Sequence, residues 1–164
     1  MNIRSDRFSV IFTTLAVAVV LTMVSMPPLL ELMRPYWVAL VIIYWCLETQ
    51  DRISLGLAFT IGIMLDLLTA SLLGLHALSL VIIVYLVVRF RARLRFFPPW
   101  QQALSVLALL VNDRIILLWI TSLRGEPLPS LEFWLPPIVG TLLWPWLFLL
   151  LDRYRGVMRH RYSR

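Results

Sequence analysis

Residues 53–97 read ISLGLAFTIGIMLDLLTASLLGLHALSLVIIVYLVVRFRARLRFF. From Ile53 to Val88 the one formal charge is Asp66, and then Arg89, Arg91, Arg93 and Arg95 follow within a few positions. A membrane helix needs about 20 mostly apolar residues to cross a hydrocarbon core of roughly 30 Å. This stretch holds two such spans, Ile53 to about Ser71 and Leu72 to Val88, with Gly74 near the start of the second. The pattern continues on both sides. Upstream lie Phe8–Met26, stopped by Pro27-Pro28, and Tyr36–Leu47. Downstream lie Trp100–Leu123 and then Phe133–Leu151, which carries Pro136, Pro137 and Pro145. The expectation is an all-α protein: one membrane domain over residues 1–164, a polytopic bundle of about six transmembrane helices.

Composition agrees. The chain has 164 residues, 60% of them hydrophobic and 15% charged, with a mean hydropathy of +0.85. Soluble domains carry about 25% charged residues, so a soluble globular domain is excluded. All basic residues are arginines, which removes any P-loop or Schiff-base lysine. The net charge of +6 needs no nucleic acid to explain it, because topology accounts for it. With both termini cytoplasmic, the inner segments hold Arg4, Arg7, Arg52, Arg89, Arg91, Arg93, Arg95, Arg153, Arg155, Arg159, Arg161 and Arg164. The outer loops hold Arg34 and Arg124. That is the positive-inside pattern, and it places the chain in a cytoplasmic membrane with an even number of crossings. Arg4 and Arg7 before an apolar stretch resemble a signal peptide, but the stretch is longer than a usual signal core, so the first helix is expected to be retained. The Tyr36–Leu47 span is short for a crossing. It requires an added turn from Leu29–Met33, or shelter within the protein.

Charges within spans are the candidate functional residues. Asp66, Asp113 and Arg114 are expected to be costly there without partners, and an Asp66–Arg114 or Asp113–Arg114 contact is possible at equal depth. A latch that fixes helix docking is favoured over a proton relay, since no ladder of further polar groups crosses the membrane. Ala58, Gly62, Asp66, Ala70 and Gly74 recur every four residues, and small residues so spaced let helices approach closely. They are read as a helix-packing seam. Arg89, Arg91, Arg93, Arg95, Arg153 and Arg155 form an inner face for anionic lipid or a cytoplasmic partner. His76 and His160 are too far apart in sequence to suggest a metal cluster, and Ser71 near His76 lacks a hydrolase motif. No enzyme activity and no cofactor are expected.

Several segments together resemble one family. Arg34-Pro35-Tyr36-Trp37 and Tyr44-Trp45 bracket the second span, and Gly62-Ile63-Met64-Leu65-Asp66-Leu67 precedes Leu73-Gly74. Trp100-Gln101-Gln102-Ala103 opens the fifth span, and Leu143-Trp144-Pro145-Trp146 marks the sixth. In order and spacing, from about Arg34 to Leu151, they resemble the MreD family of bacterial rod shape-determining membrane proteins. The resemblance implies a non-enzymatic part of the cell-elongation machinery, acting with MreC, the filament protein MreB, the glycan polymerase RodA and a class B penicillin-binding transpeptidase. It also implies a bundle similar to the substrate-binding subunits of energy-coupling-factor transporters. Arg114 departs from the family pattern, which has an aliphatic residue after the aspartate matching Asp113, so that charge can be compensated within this chain. From another class, the alternative is a substrate-binding transporter subunit working with a separate ATPase.

Overall fold

The computed structural model describes residues 3–25, 27–49, 53–125 and 129–161. Among them there is no strand, and six helices exceed ten residues: α1 (Ile3–Met23), α3 (Trp37–Glu48), α4 (Leu55–Leu68), α5 (Leu75–Leu94), α6 (Pro99–Leu123) and α7 (Leu135–Arg161). A single turn, α2 (Pro28–Glu31), precedes α3, and a 3₁₀ turn at Leu131–Trp134 leads into α7. Three stretches are long and apolar enough to cross a membrane, Leu75–Leu94, Pro99–Leu123 and Leu131–Gly156.

The short α3 is the axis of the molecule. Every residue from Val38 to Leu47 is buried, and α3 packs against α1, α5, α6 and α7. A helix that is apolar all round belongs inside a bundle, which is why twelve residues suffice here. The other helices bury one stripe each. On α6 that stripe is Gln102, Val106, Leu109, Leu110 and Asp113, the i, i+4, i+7 spacing of one helical face. Their outward faces are apolar too: Phe12, Leu67, Trp119, Leu142 and Trp146 are all more than half exposed. That surface suits lipid.

Helix ends are fastened by arginines from neighbouring segments. A helix C-terminus leaves carbonyls without intrahelical donors and carries partial negative charge. Arg34 donates to the Thr22 carbonyl at 2.8 Å and to that of Val24, closing the end of α1. Arg91 donates to the Leu47 carbonyl at 3.0 Å, and Arg155 pairs with Glu48 and Asp152, so the C-terminal ends of α3, α5 and α7 meet. At the other end of α3 the Tyr36 ring meets the ring of His76, the second residue of α5. Helices α4 and α6 run the opposite way, since the end of α4 meets the start of α5 and Gln102 donates to the Leu94 carbonyl.

Two expectations are corrected by this arrangement. The helix expected to end at Val88 runs further: α5 continues through Arg89, Arg91 and Arg93 to Leu94. Its arginine, alanine and leucine residues are good helix formers, and the chain turns only at 95–97, before Pro98 caps α6. Likewise α7 runs through Arg153 and Arg155 to Arg161. Arg91 and Arg155 do not form a free inner face, because both are engaged on α3. Trp45 is 2% exposed and donates to Thr14 Oγ1 at 2.9 Å. Arg52 and Arg164 lie outside the described residues.

Candidate functional site

The α4–α5 hairpin carries the most polar chemistry in the bundle. Helix α4 starts on Ser54, whose hydroxyl accepts from Leu57 N–H, and buries Ala58, Gly62, Leu65 and Asp66 against α5. A Cβ on Gly62 would overlap the backbone of Ala77 and stand 2.9 Å from its Cβ. The absent side chain is therefore what lets the two backbones touch. Ala70 and Gly74, expected on the same seam, are not on the helix. The chain leaves α4 after Leu68, with Ala70 at φ 50° and Gly74 at φ 97°, left-handed conformations that reverse its direction.

Asp66 holds that reversal together. Its Oδ2 accepts the Gly74 N–H at 2.8 Å, and its Oδ1 accepts the His76 N–H at 3.0 Å and the Ser71 hydroxyl at 2.8 Å. His76 Nδ1 lies 2.7 Å from the same Oδ1. Gly74 is the N-cap of α5 and has no side chain with which to cap it. The carboxylate of the preceding helix does so instead, at the positive end of the α5 dipole. Asp66 is 1% exposed. All four of its partners come from its own hairpin.

Ser71, His76 and Asp66 thus meet, yet they do not form a nucleophilic relay. Ser71 Oγ lies 3.2 Å from Nδ1, the nitrogen already turned to Asp66. A general base would use the other ring nitrogen on the serine.

Asp113 makes a second joint. It is 3% exposed and accepts the hydroxyl proton of Ser79, tying α6 to α5. Among the described residues neither carboxylate forms an ion pair with Arg114, whose guanidinium lies 4.9 Å from the centroid of the Phe133 ring. The Asp66–Arg114 and Asp113–Arg114 contacts left open above give way to these partners. The geometric reason is local: Asp66 is saturated by its own turn, and Arg114, one residue past Asp113, points along another face of α6. The Tyr36 hydroxyl is buried and has no hydrogen-bond partner among the described residues.

Ser79, Tyr36 and the donor role of His76 escaped sequence reasoning. One signal was legible: an acid, then a serine, a glycine and a histidine within ten residues across an apolar reversal. Expected of Ser79→Ala is a loss of about 1–3 kcal/mol, since the buried Asp113 carboxylate loses its donor. A double-mutant cycle with Asp113→Ala, followed by thermal unfolding in detergent, should show the two losses to be less than additive.

Segments quoted above as a set also meet in space. Gln102 of α6 accepts from the Trp144 indole of α7 at 3.3 Å, deep in the bundle. Tyr36 meets His76 just past Leu73-Gly74. Phe148, one turn beyond Trp144, packs edge-on against Tyr44.

Comparison with known proteins identifies the family. Residues 3–154 match the family described as rod shape-determining protein MreD. The Rod shape-determining protein MreD of Haemophilus influenzae is 30% identical over 145 residues, 88% of this chain and 90% of that protein. No solved structure matches the chain. By both the extent of the family match and the helical membrane architecture, the chain belongs to the MreD family of rod shape-determining membrane proteins.

Proposed function

We propose that this protein is a non-enzymatic scaffold of the bacterial cell-elongation complex in the cytoplasmic membrane. Six helices cross, and both termini are cytoplasmic. It binds the membrane helix of MreC and, directly or through MreC, connects RodA and a class B penicillin-binding transpeptidase to the MreB filament. Asp66 and Asp113 act as latches that hold the helices in the geometry these partners read.

The observation that carries this reading is where the buried charge goes. Asp66 is satisfied by its own hairpin and Asp113 by Ser79, so both serve helix joints, and the family match extends over nearly the whole chain. The seam at Ala58 and Gly62 is occupied by α5, which leaves lipid-facing surfaces for a partner helix. A transporter subunit is not favoured, because the family match runs to rod-shape determination and the buried carboxylates are already partnered.

The test is purification of the tagged chain from native membranes in mild detergent, with mass spectrometry of what is retained. Retention of MreC and cell-wall synthases is expected. Retention of a cytosolic ATPase, with MreC absent, overturns the proposal.

A further inference from the structure

At the inner ends of the helices the arginines divide into two groups. Arg91 and Arg155 are engaged on α3. Arg89, Arg93 and Arg95 are exposed, and among the described residues their side chains meet no carboxylate. No acid occurs in the sequence between Asp66 and Asp113, while Glu48 and Asp152 are paired with Arg155. Arg89 and Arg93, one turn apart, lie on one face of α5, where like charges repel. An anion supplied from outside the chain relieves that repulsion.

The neighbours of these arginines show what kind of anion. Phe96 is 87% and Trp100 64% exposed, immediately beyond Arg95 and at the start of α6. Exposed aromatic rings at the end of apolar helices sit at the boundary between headgroups and hydrocarbon. Arginine side chains bury their stems there and extend the guanidinium outward, where its fork matches a phosphate. An acidic protein surface would satisfy the arginines but gives the two rings no apolar medium. A phospholipid satisfies both.

We propose that the α5–α6 turn binds the headgroups of anionic phospholipids through Arg89, Arg93 and Arg95, with Phe96 and Trp100 seated in the interfacial layer. The proposal does not rest on MreC binding. It needs only a chain embedded in a membrane.

The full-length protein in detergent is titrated with dioleoyl-phosphatidylglycerol or dioleoyl-phosphatidylcholine, and bound lipid is counted by native mass spectrometry. Phosphatidylglycerol is expected to bind at least about tenfold more tightly, each arginine near an anionic surface being worth a factor of about five. The combined variant Arg89→Gln, Arg93→Gln, Arg95→Gln loses that preference, and the three lysine substitutions together keep most of it. If the glutamine variant fails to fold, the salt dependence of the wild-type protein decides, since the preference must fall as salt rises. Equal affinity for the two lipids, or a preference that survives the glutamine variant or high salt, overturns the proposal. So does equal competition by millimolar inorganic phosphate, which would make the ligand a free anion. An acidic cytosolic protein lost with the three arginines, while lipid preference is absent, would move the site to a protein partner.

Discussion

Replacing Asp66 by leucine is expected to destabilise the purified protein by about 3–5 kcal/mol, the range for breaking a buried charged partnership, and to prevent the chain from maintaining rod shape. The carboxylate is 1% exposed and serves four donors. Leucine fills similar space but leaves the Gly74 and His76 amides without their acceptor. The hairpin then has either unsatisfied amides or a frayed first turn of α5. Asp66→Asn retains one carbonyl oxygen and should lose about half as much. His76→Ala removes one of the four partners and keeps both backbone bonds, so its loss should stay near 1 kcal/mol. Thermal unfolding in detergent ranks the three, and cell shape after complementation of a deletion strain reports the consequence. Wild-type stability and rod shape in Asp66→Leu would mean that the turn is not held by this carboxylate.

The second large effect is expected at Gly62. Its missing Cβ is the space occupied by the backbone of Ala77, and backbone cannot rotate away as a side chain can. Gly62→Ala should cost about 3 kcal/mol, the upper end for overpacking, although alanine is the better helix former. Gly62→Leu should separate α4 from α5 altogether. Gly56, one helical turn and a half earlier on α4, is the control: a Cβ there meets nothing nearer than the Ser54 hydroxyl at 3.8 Å. Gly56→Ala should therefore be neutral or stabilising by up to about 1 kcal/mol. If both glycines tolerate alanine equally, the close approach of the two helices is wrong. Because Gly62 lies on the α5 side, the same pair also separates a fold defect from the loss of a partner site: retention of MreC should follow the unfolding temperature.

Much of the site was legible before any coordinates. Asp66 and Asp113 stand out because charge is rare in an apolar run, and both are buried joints. The seam was legible at Ala58 and Gly62 and misread at Ala70 and Gly74, because a four-residue period says nothing of where a helix ends. The end of α4 depends on a left-handed residue at Ala70, a conformation that sequence rarely signals at alanine. Whether Asp66 pairs with Arg114 could not be read from spacing for a related reason. Position along a helix leaves rotation about its axis open, and four donors from its own hairpin take the Asp66 carboxylate.

Periodic hydrophobicity and the placement of arginine determined by themselves that this is an all-helical membrane chain, and roughly where its main helices lie. Those properties depend on summed solvation along a segment, and each segment carries its own sum. Only the tertiary structure decided that α3 is the axis, that Arg34 and Arg91 close other helices, and that Asp66 caps α5. Each of these depends on one atom meeting another across a turn or a helix pair. An arginine reads the same in sequence whether its guanidinium reaches a carbonyl at 3.0 Å, as Arg91 does, or extends free, as Arg93 does among the described residues.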